Sequence, residues 1–123
     1  MALEIPAAEV SPQNDSGIIK FYVGDTFELH LELDLKDQDG EPIIFNNETD
    51  TLTITFKDKR KQTVKTFSFG GEDEQITDNV AVLTFDTETT VLFPVGIYTY
   101  DGVFTNTERR VTIINNAPLV VMD

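Results

Sequence analysis

Asp37, Asp39 and Glu41 alternate around one turn, and Glu48 stands at the twelfth position counted from Asp37. Clustered carboxylate oxygens are what Ca²⁺ takes as ligands. An EF-hand loop, however, needs glycine at its sixth position, where this chain has Pro42, with Gly40 at the fourth. The stretch reads as a hairpin turn and no metal site is assigned. The single histidine, His30, lies between Glu28 and Glu32 on what alternation makes a wet face. No nucleophile is marked to complete a triad with it, so it reads as a solvated surface residue. There is no cysteine, which excludes a disulfide framework, a thiolate zinc site and a cysteine nucleophile. The 22 Asp and Glu residues could supply a glycosidase pair, but nothing selects two of them. No catalytic residue and no cofactor is assigned, and the chain is expected not to be an enzyme.

The basic residues are distributed more informatively. Lys57, Lys59, Arg60, Lys61 and Lys65 place five of the nine at one hairpin. The remainder is strongly acidic, and the net charge is −13. These five are the candidate interaction residues. A basic tip could meet the acidic surface of a second copy or of another partner, giving head-to-tail attraction. Nucleic acid and anionic membrane are not expected as partners. Both need phosphates neutralised, and no aromatic is interleaved with the basic residues for base stacking. Asn14-Asp15-Ser16 and Asn47-Glu48-Thr49 match the short N-glycosylation pattern.

The elements that must position these groups are strands. In Gly24 to Gly40, Phe27, Leu29, Leu31, Leu33 and Leu35 fall on every second residue, with Glu28, His30, Glu32 and Asp34 between them. Successive strand side chains point to opposite faces, so this is a long strand with one dry and one wet face. Asp37-Gln38-Asp39-Gly40 supplies its turn. Upstream, Gly17 to Val23 is a short first strand with Ile19, Phe21 and Val23 on one face. Met1 to Ser16 has no periodicity and reads as a mobile tail, or an arm for a neighbour.

After Gly40, the segment Glu41 to Phe45 is extended but irregular, since Pro42 cannot donate to a ladder. Thr51 to Lys57 alternates with Leu52, Ile54 and Phe56 inward. Thr63 to Phe69 returns with broken parity, which a bulge near Lys65 or Thr66 would reconcile. Gly70 to Asn79 is an acidic loop. Val80 to Phe85 is a strand with either Val80 and Val82 or Ala81, Leu83 and Phe85 inward, the second set being preferred by volume. Asp86-Thr87-Glu88-Thr89 starts a short helical turn with an Asp or Thr cap, ended by Pro94. Gly96 to Thr105 carries Tyr98, Tyr100 and Phe104 on one face, and one of the tyrosines could pin the crossing loop as a corner residue. Arg109 to Ile114 pairs back, Asn115 to Pro118 interrupts, and Leu119 to Val121 is a last short piece. Phe45, Phe93 and Tyr22 are the aromatics expected to be exposed.

Short strands spaced by polar turns make this an all-β chain, with about seven to eight strands in an antiparallel β-sandwich. At 123 residues it has the length of one domain, taken as residues 17–123 behind a tail of residues 1–16. The first residues carry no base and no apolar run, so no signal peptide is read, and no stretch approaches a membrane span. The lack of cysteine fits a reducing compartment such as the bacterial cytoplasm.

Three runs carry a resemblance. The first is Gly24-Asp25-Thr26-Phe27 and its alternating strand, followed by Asp39-Gly40-Glu41-Pro42-Ile43. The second is Leu52-Thr53-Ile54-Thr55-Phe56. The third is Phe93-Pro94-Val95-Gly96-Ile97-Tyr98-Thr99-Tyr100-Asp101, in which a Pro-x-Gly-x-Tyr run opens a strand. Together they resemble the N-terminal immunoglobulin-like domain of phage baseplate upper proteins and related Ig-like modules of phage tails. The resemblance implies an Ig-like sandwich. It also implies a structural or adaptor role in the virion, binding other tail or baseplate subunits through sheet edges and loops, with a homo-oligomer possible and no catalysis. The alternative is a carbohydrate-binding or adhesion module of a bacterial surface protein, against which the absence of tryptophan counts.

Overall fold

The computed structural model describes residues 9–10, 14–15, 18–33, 35, 39–107 and 109–123. The described strands are β1 (Glu9–Val10), β2 (Asn14–Asp15), β3 (Ile18–Tyr22), β4 (Phe27–Glu32), β5 (Thr51–Lys57), β6 (Thr63–Phe69), β7 (Val80–Phe85), β8 (Gly96–Thr105) and β9 (Arg110–Met122). One helical turn, α1 (Thr87–Thr90), lies between β7 and β8. The chain is all-β, and the seven strands of five residues or more carry its two sheets. One sheet runs β1-β4-β7 and the other β2-β3-β9-β8-β5-β6.

Alternation sets the inner faces. Leu29 and Leu31 on β4, Leu52, Ile54 and Phe56 on β5, and Ala81, Leu83 and Phe85 on β7 are buried, while the residues between them are exposed or half-exposed. Leu33 and Leu35 continue the buried row past the end of β4. Aromatic rings join the sheets across the interior. Phe85 of β7 lies 5.7 Å from both Phe21 of β3 and Phe56 of β5, and stacks on Phe27 of β4 at 4.7 Å. Such tilted and offset ring pairs add to the transfer free energy of burying them.

The expected parity break in β6 is a bulge, one residue earlier than predicted. Phe56 pairs with Lys65 and Lys57 with Thr63, so Val64 is the extra residue. Asp86 caps α1 by accepting from the Thr89 backbone N–H at 2.9 Å. The crossing from β7 to β8 is pinned as expected, because the Tyr98 hydroxyl donates to the Pro94 carbonyl at 2.5 Å.

Four expectations need correction. The larger sheet is mixed: β3 pairs with β9 in parallel, from Ile19–Leu119 to Tyr22–Met122. The turn after Tyr22 sends β4 into the other sheet, so β3 docks beside β9, whose direction the β8–β9 hairpin has already fixed. Second, the last two predicted pieces are one strand, β9, whose pairing with β8 shifts register twice, around Asn116 and at Ile113. Asn116 takes up a positive φ of 52° there, and its N–H donates to the Asp101 carboxylate at 2.8 Å.

Third, Phe45 and Phe93 are buried, and of the three aromatics expected outside only Tyr22 is exposed. Phe93 fills the end of the core against Phe56, Phe85 and Tyr98. Phe45 packs on Phe104. Fourth, Val23 is expected to share a face with Ile19 and Phe21, which are buried, but it is exposed because β3 ends at Tyr22 and the turn begins. Within the expected tail, Glu9–Val10 pairs with β4 and Asn14–Asp15 with β3, and the rest of 1–16 lies outside the described residues.

Candidate interaction surfaces

The β5–β6 hairpin is built by one carboxylate. Asp58 accepts from the backbone N–H groups of Arg60 and Gln62 at 2.8 and 3.0 Å, and its own N–H and C=O close the turn on Gln62 and Lys61. Lys61 adopts a positive φ of 66° to complete it. A side-chain acceptor that replaces solvent for two turn N–H groups fixes the tip.

The five basic residues at this hairpin do not share one surface. Cross-strand partners lie on the same face of a sheet, and Lys65 pairs with the inward Phe56. Lys65 therefore sits on the inner side at the open edge, with its ammonium 5.5 Å from the centre of the Phe67 ring. Its charge also bears on Asp86, whose carboxyl is held below the usual range mainly by hydrogen bonds from Thr89. Lys57 takes the opposite, outer face and reaches Asp101 at 3.7 Å. The Lys61 ammonium lies 3.5 Å from the Asn116 side-chain oxygen on that outer face. Lys59 and Arg60 project from the tip and are exposed. The tip proper is thus Lys59, Arg60 and Lys61, with Lys57 and Lys65 spread to its two sides.

The opposite end carries the acidic loops. Asn47 accepts from the Ile76 N–H and donates to the Ile76 carbonyl, both at 2.9 Å. Asn79 accepts from the Phe45 N–H at 2.8 Å and donates to the Ile43 carbonyl at 2.9 Å. Each amide mimics a peptide group and pairs as a strand neighbour would. The two clamps join residues 43–50 to residues 70–79, and the Gly71 N–H adds a bond to the Asn47 carbonyl at 2.6 Å. Exposed Glu48 is thereby brought beside exposed Glu72, Asp73 and Glu74. The Asn47 amide nitrogen, which the glycosylation pattern would need, is occupied by Ile76.

His30 is exposed, with Nε2 3.3 Å from the Glu28 carboxylate. Asp37 of the acidic turn lies outside the described residues, and among the described residues no three His, Asp or Glu side chains converge as metal ligands. A shallow groove of about 300 Å³ runs between the β6 and β7 edges, lined by Lys65, Phe67, Val82, Thr84 and Asp86 among others. No helix of the described residues is long and apolar enough to cross a membrane.

The clamps and the buried Phe45 were not predicted. Asn47 and Asn79 look like ordinary loop residues, and their partners lie 29 to 36 residues away in sequence. No family model and no curated protein matches this chain.

Proposed function

We propose that the chain is an immunoglobulin-like β-sandwich acting as a non-enzymatic structural or adaptor module of a phage or prophage tail or baseplate. On this reading it is made in the bacterial cytoplasm, carried in the virion, and binds other subunits through its sheet edges and end loops. The strand order supports the fold. The run β9-β8-β5-β6 against β1-β4-β7 matches the G-F-C-C′ and A-B-E strands of a variable-type Ig sandwich. The bond from Tyr98 back to Pro94 matches a tyrosine corner at the entry to strand F. Tyr98 belongs to the Pro-x-Gly-x-Tyr run, one of the three that carry the resemblance.

The observation carrying the role is the charged hairpin tip, held at one end of a rigid two-sheet body by the Asp58 turn. A surface fixed before contact loses little conformational entropy on binding, which suits an assembly joint. The test is mass spectrometry of purified particles from the host strain. Stoichiometric presence of the chain, lost when its gene is deleted, is the expected result; particles that never contain it would sink the reading. The carbohydrate-binding alternative loses two of its three candidate platform aromatics to the core, Phe45 and Phe93. A glycan panel separates the two readings.

A further inference from the structure

Seven large apolar side chains are well exposed among the described residues, and six of them lie at one end: Tyr22, Val23, Val91, Leu92, Val95 and Ile97. The register makes part of this set continuous. Tyr22 pairs with Met122, Ile97 with Val120, and Gly96 with Val121, so Tyr22 and Ile97 share the outer face of three adjacent strands, β3, β9 and β8. Val120 and Met122 fill the space between them, half-buried. Val95, in the bend just before β8, and Val91 and Leu92, on the segment from α1 that leads into it, are exposed at the same end.

The basic tip borders this patch. Lys57 pairs with Thr99, so the tip at residues 58–62 extends past the end of β5 alongside Ile97. Apolar anchors with a cationic border are thus concentrated at one pole. An isolated exposed apolar residue is ordinary, but a cluster of this kind marks an interaction site.

The seventh exposed apolar residue, Ile44, is 79% exposed and sits at the other pole. The Asn79 clamp on Ile43 and Phe45 holds it against the acidic loops. Residues 39–50 and 70–79 contain no Lys, Arg or His, and they carry exposed Glu48, Glu72, Asp73, Glu74 and Asp78. Arg109 and Arg110 stand at this end too, but β8 and β5 separate the β9 strand from the acidic β6 side. The poles are separated by the seven residues of β5, roughly 20 Å at strand rise. That exceeds the Debye length of ~8 Å at physiological salt, so the two charged ends barely attract each other within one chain.

We infer that the Tyr22–Ile97 patch and the Lys59–Lys61 tip of one copy dock on the Ile44 and Glu72–Glu74 pole of a second copy, giving a head-to-tail assembly. This rests on the assembly role proposed above. Such a contact is heterologous, so it propagates into a ring or a filament rather than stopping at a two-fold dimer.

Two variants test it. One carries Ile97→Asp with Arg60→Glu, the other Ile44→Asp with Glu72→Gln and Glu74→Gln. All five positions are exposed, so both should fold, and a circular dichroism melt checks this. Sedimentation of the wild-type chain over a range of concentrations is expected to show masses well above one chain, falling at high salt. Each variant alone is expected to stay at one chain mass. Their equimolar mixture is expected to double in mass and grow no further, because each still holds one intact pole. A monomeric wild type at all concentrations would overturn the inference, as would variants that still dimerise alone or a mixture that stays monomeric. Detection of the chain in virions is a separate measurement, so the adaptor reading can survive a failure here.

Discussion

Tyr98 and Asn79 perform one task at opposite ends of the molecule: each ties a loop to the body through a side-chain bond to backbone. Tyr98→Phe removes only the hydroxyl that reaches Pro94. The expected cost is about 1 kcal/mol, or roughly 3–5 °C in melting temperature for a chain of this size. An unchanged melt would remove the corner role. Asn79 holds two backbone groups, the Phe45 N–H and the Ile43 carbonyl, and adopts a positive φ of 57° that asparagine tolerates well. Asn79→Ala leaves both partners unpaired in a half-buried setting and should cost roughly 2–4 kcal/mol. A urea titration showing a smaller loss than for Tyr98→Phe would contradict the clamp.

The tyrosines also give a pH signature. Burial pushes the Tyr100 phenol up to about 12 from its ordinary 10.0. Burial, with the nearby Asp58 charge second, raises Tyr98. Both stay protonated in the folded chain while the unfolded chain loses those protons. Each therefore contributes stability that is complete below the ordinary phenol value and declines as pH rises above it, for Tyr100 up to about 12. Urea midpoints across that window should fall; a flat profile would show that the phenols are not shielded.

Among the elements, the β6-to-β7 crossing is the least tolerant of change. A Cβ on Gly70 would lie 2.2 Å from the Asp50 carbonyl oxygen, with φ at +94°. Gly24 has a similar φ of +88° but open space around it. Gly70→Ala should therefore destabilise by several-fold more than Gly24→Ala, which bears only the backbone strain of about 1 kcal/mol. Equal effects in denaturant would mean that the loop moves freely away from β5.

The strands themselves were legible because each has one dry face. Leu29 to Leu35 and Leu52 to Phe56 alternate strictly, and period-two patterning survives without knowledge of partners. Asp86 and Tyr98 were legible because their bonds are local, three and four residues away. Pairing between distant strands leaves no such trace. The parallel β3–β9 ladder and the Asn47 and Asn79 clamps join segments that no local pattern connects. The basic hairpin was legible as a cluster but not in its splitting, since the Val64 bulge decides which face Lys65 takes.

At the scale of the whole molecule, 22 acidic residues face nine basic ones, and the chain repels itself. Added salt should raise the melting temperature as that repulsion is screened. A decrease would mean that ion pairs such as Lys57–Asp101 matter more to stability than the excess charge. The parallel seating of β3 beside β9 bears on mechanics. Traction applied to the start of β3 and to the end of β9 points in opposite directions along neighbouring strands. The four registered pairs from Ile19–Leu119 to Tyr22–Met122 are then loaded in shear, and they must give way together rather than unzip one by one. The pulling axis also runs along the line from the acidic pole to the basic one.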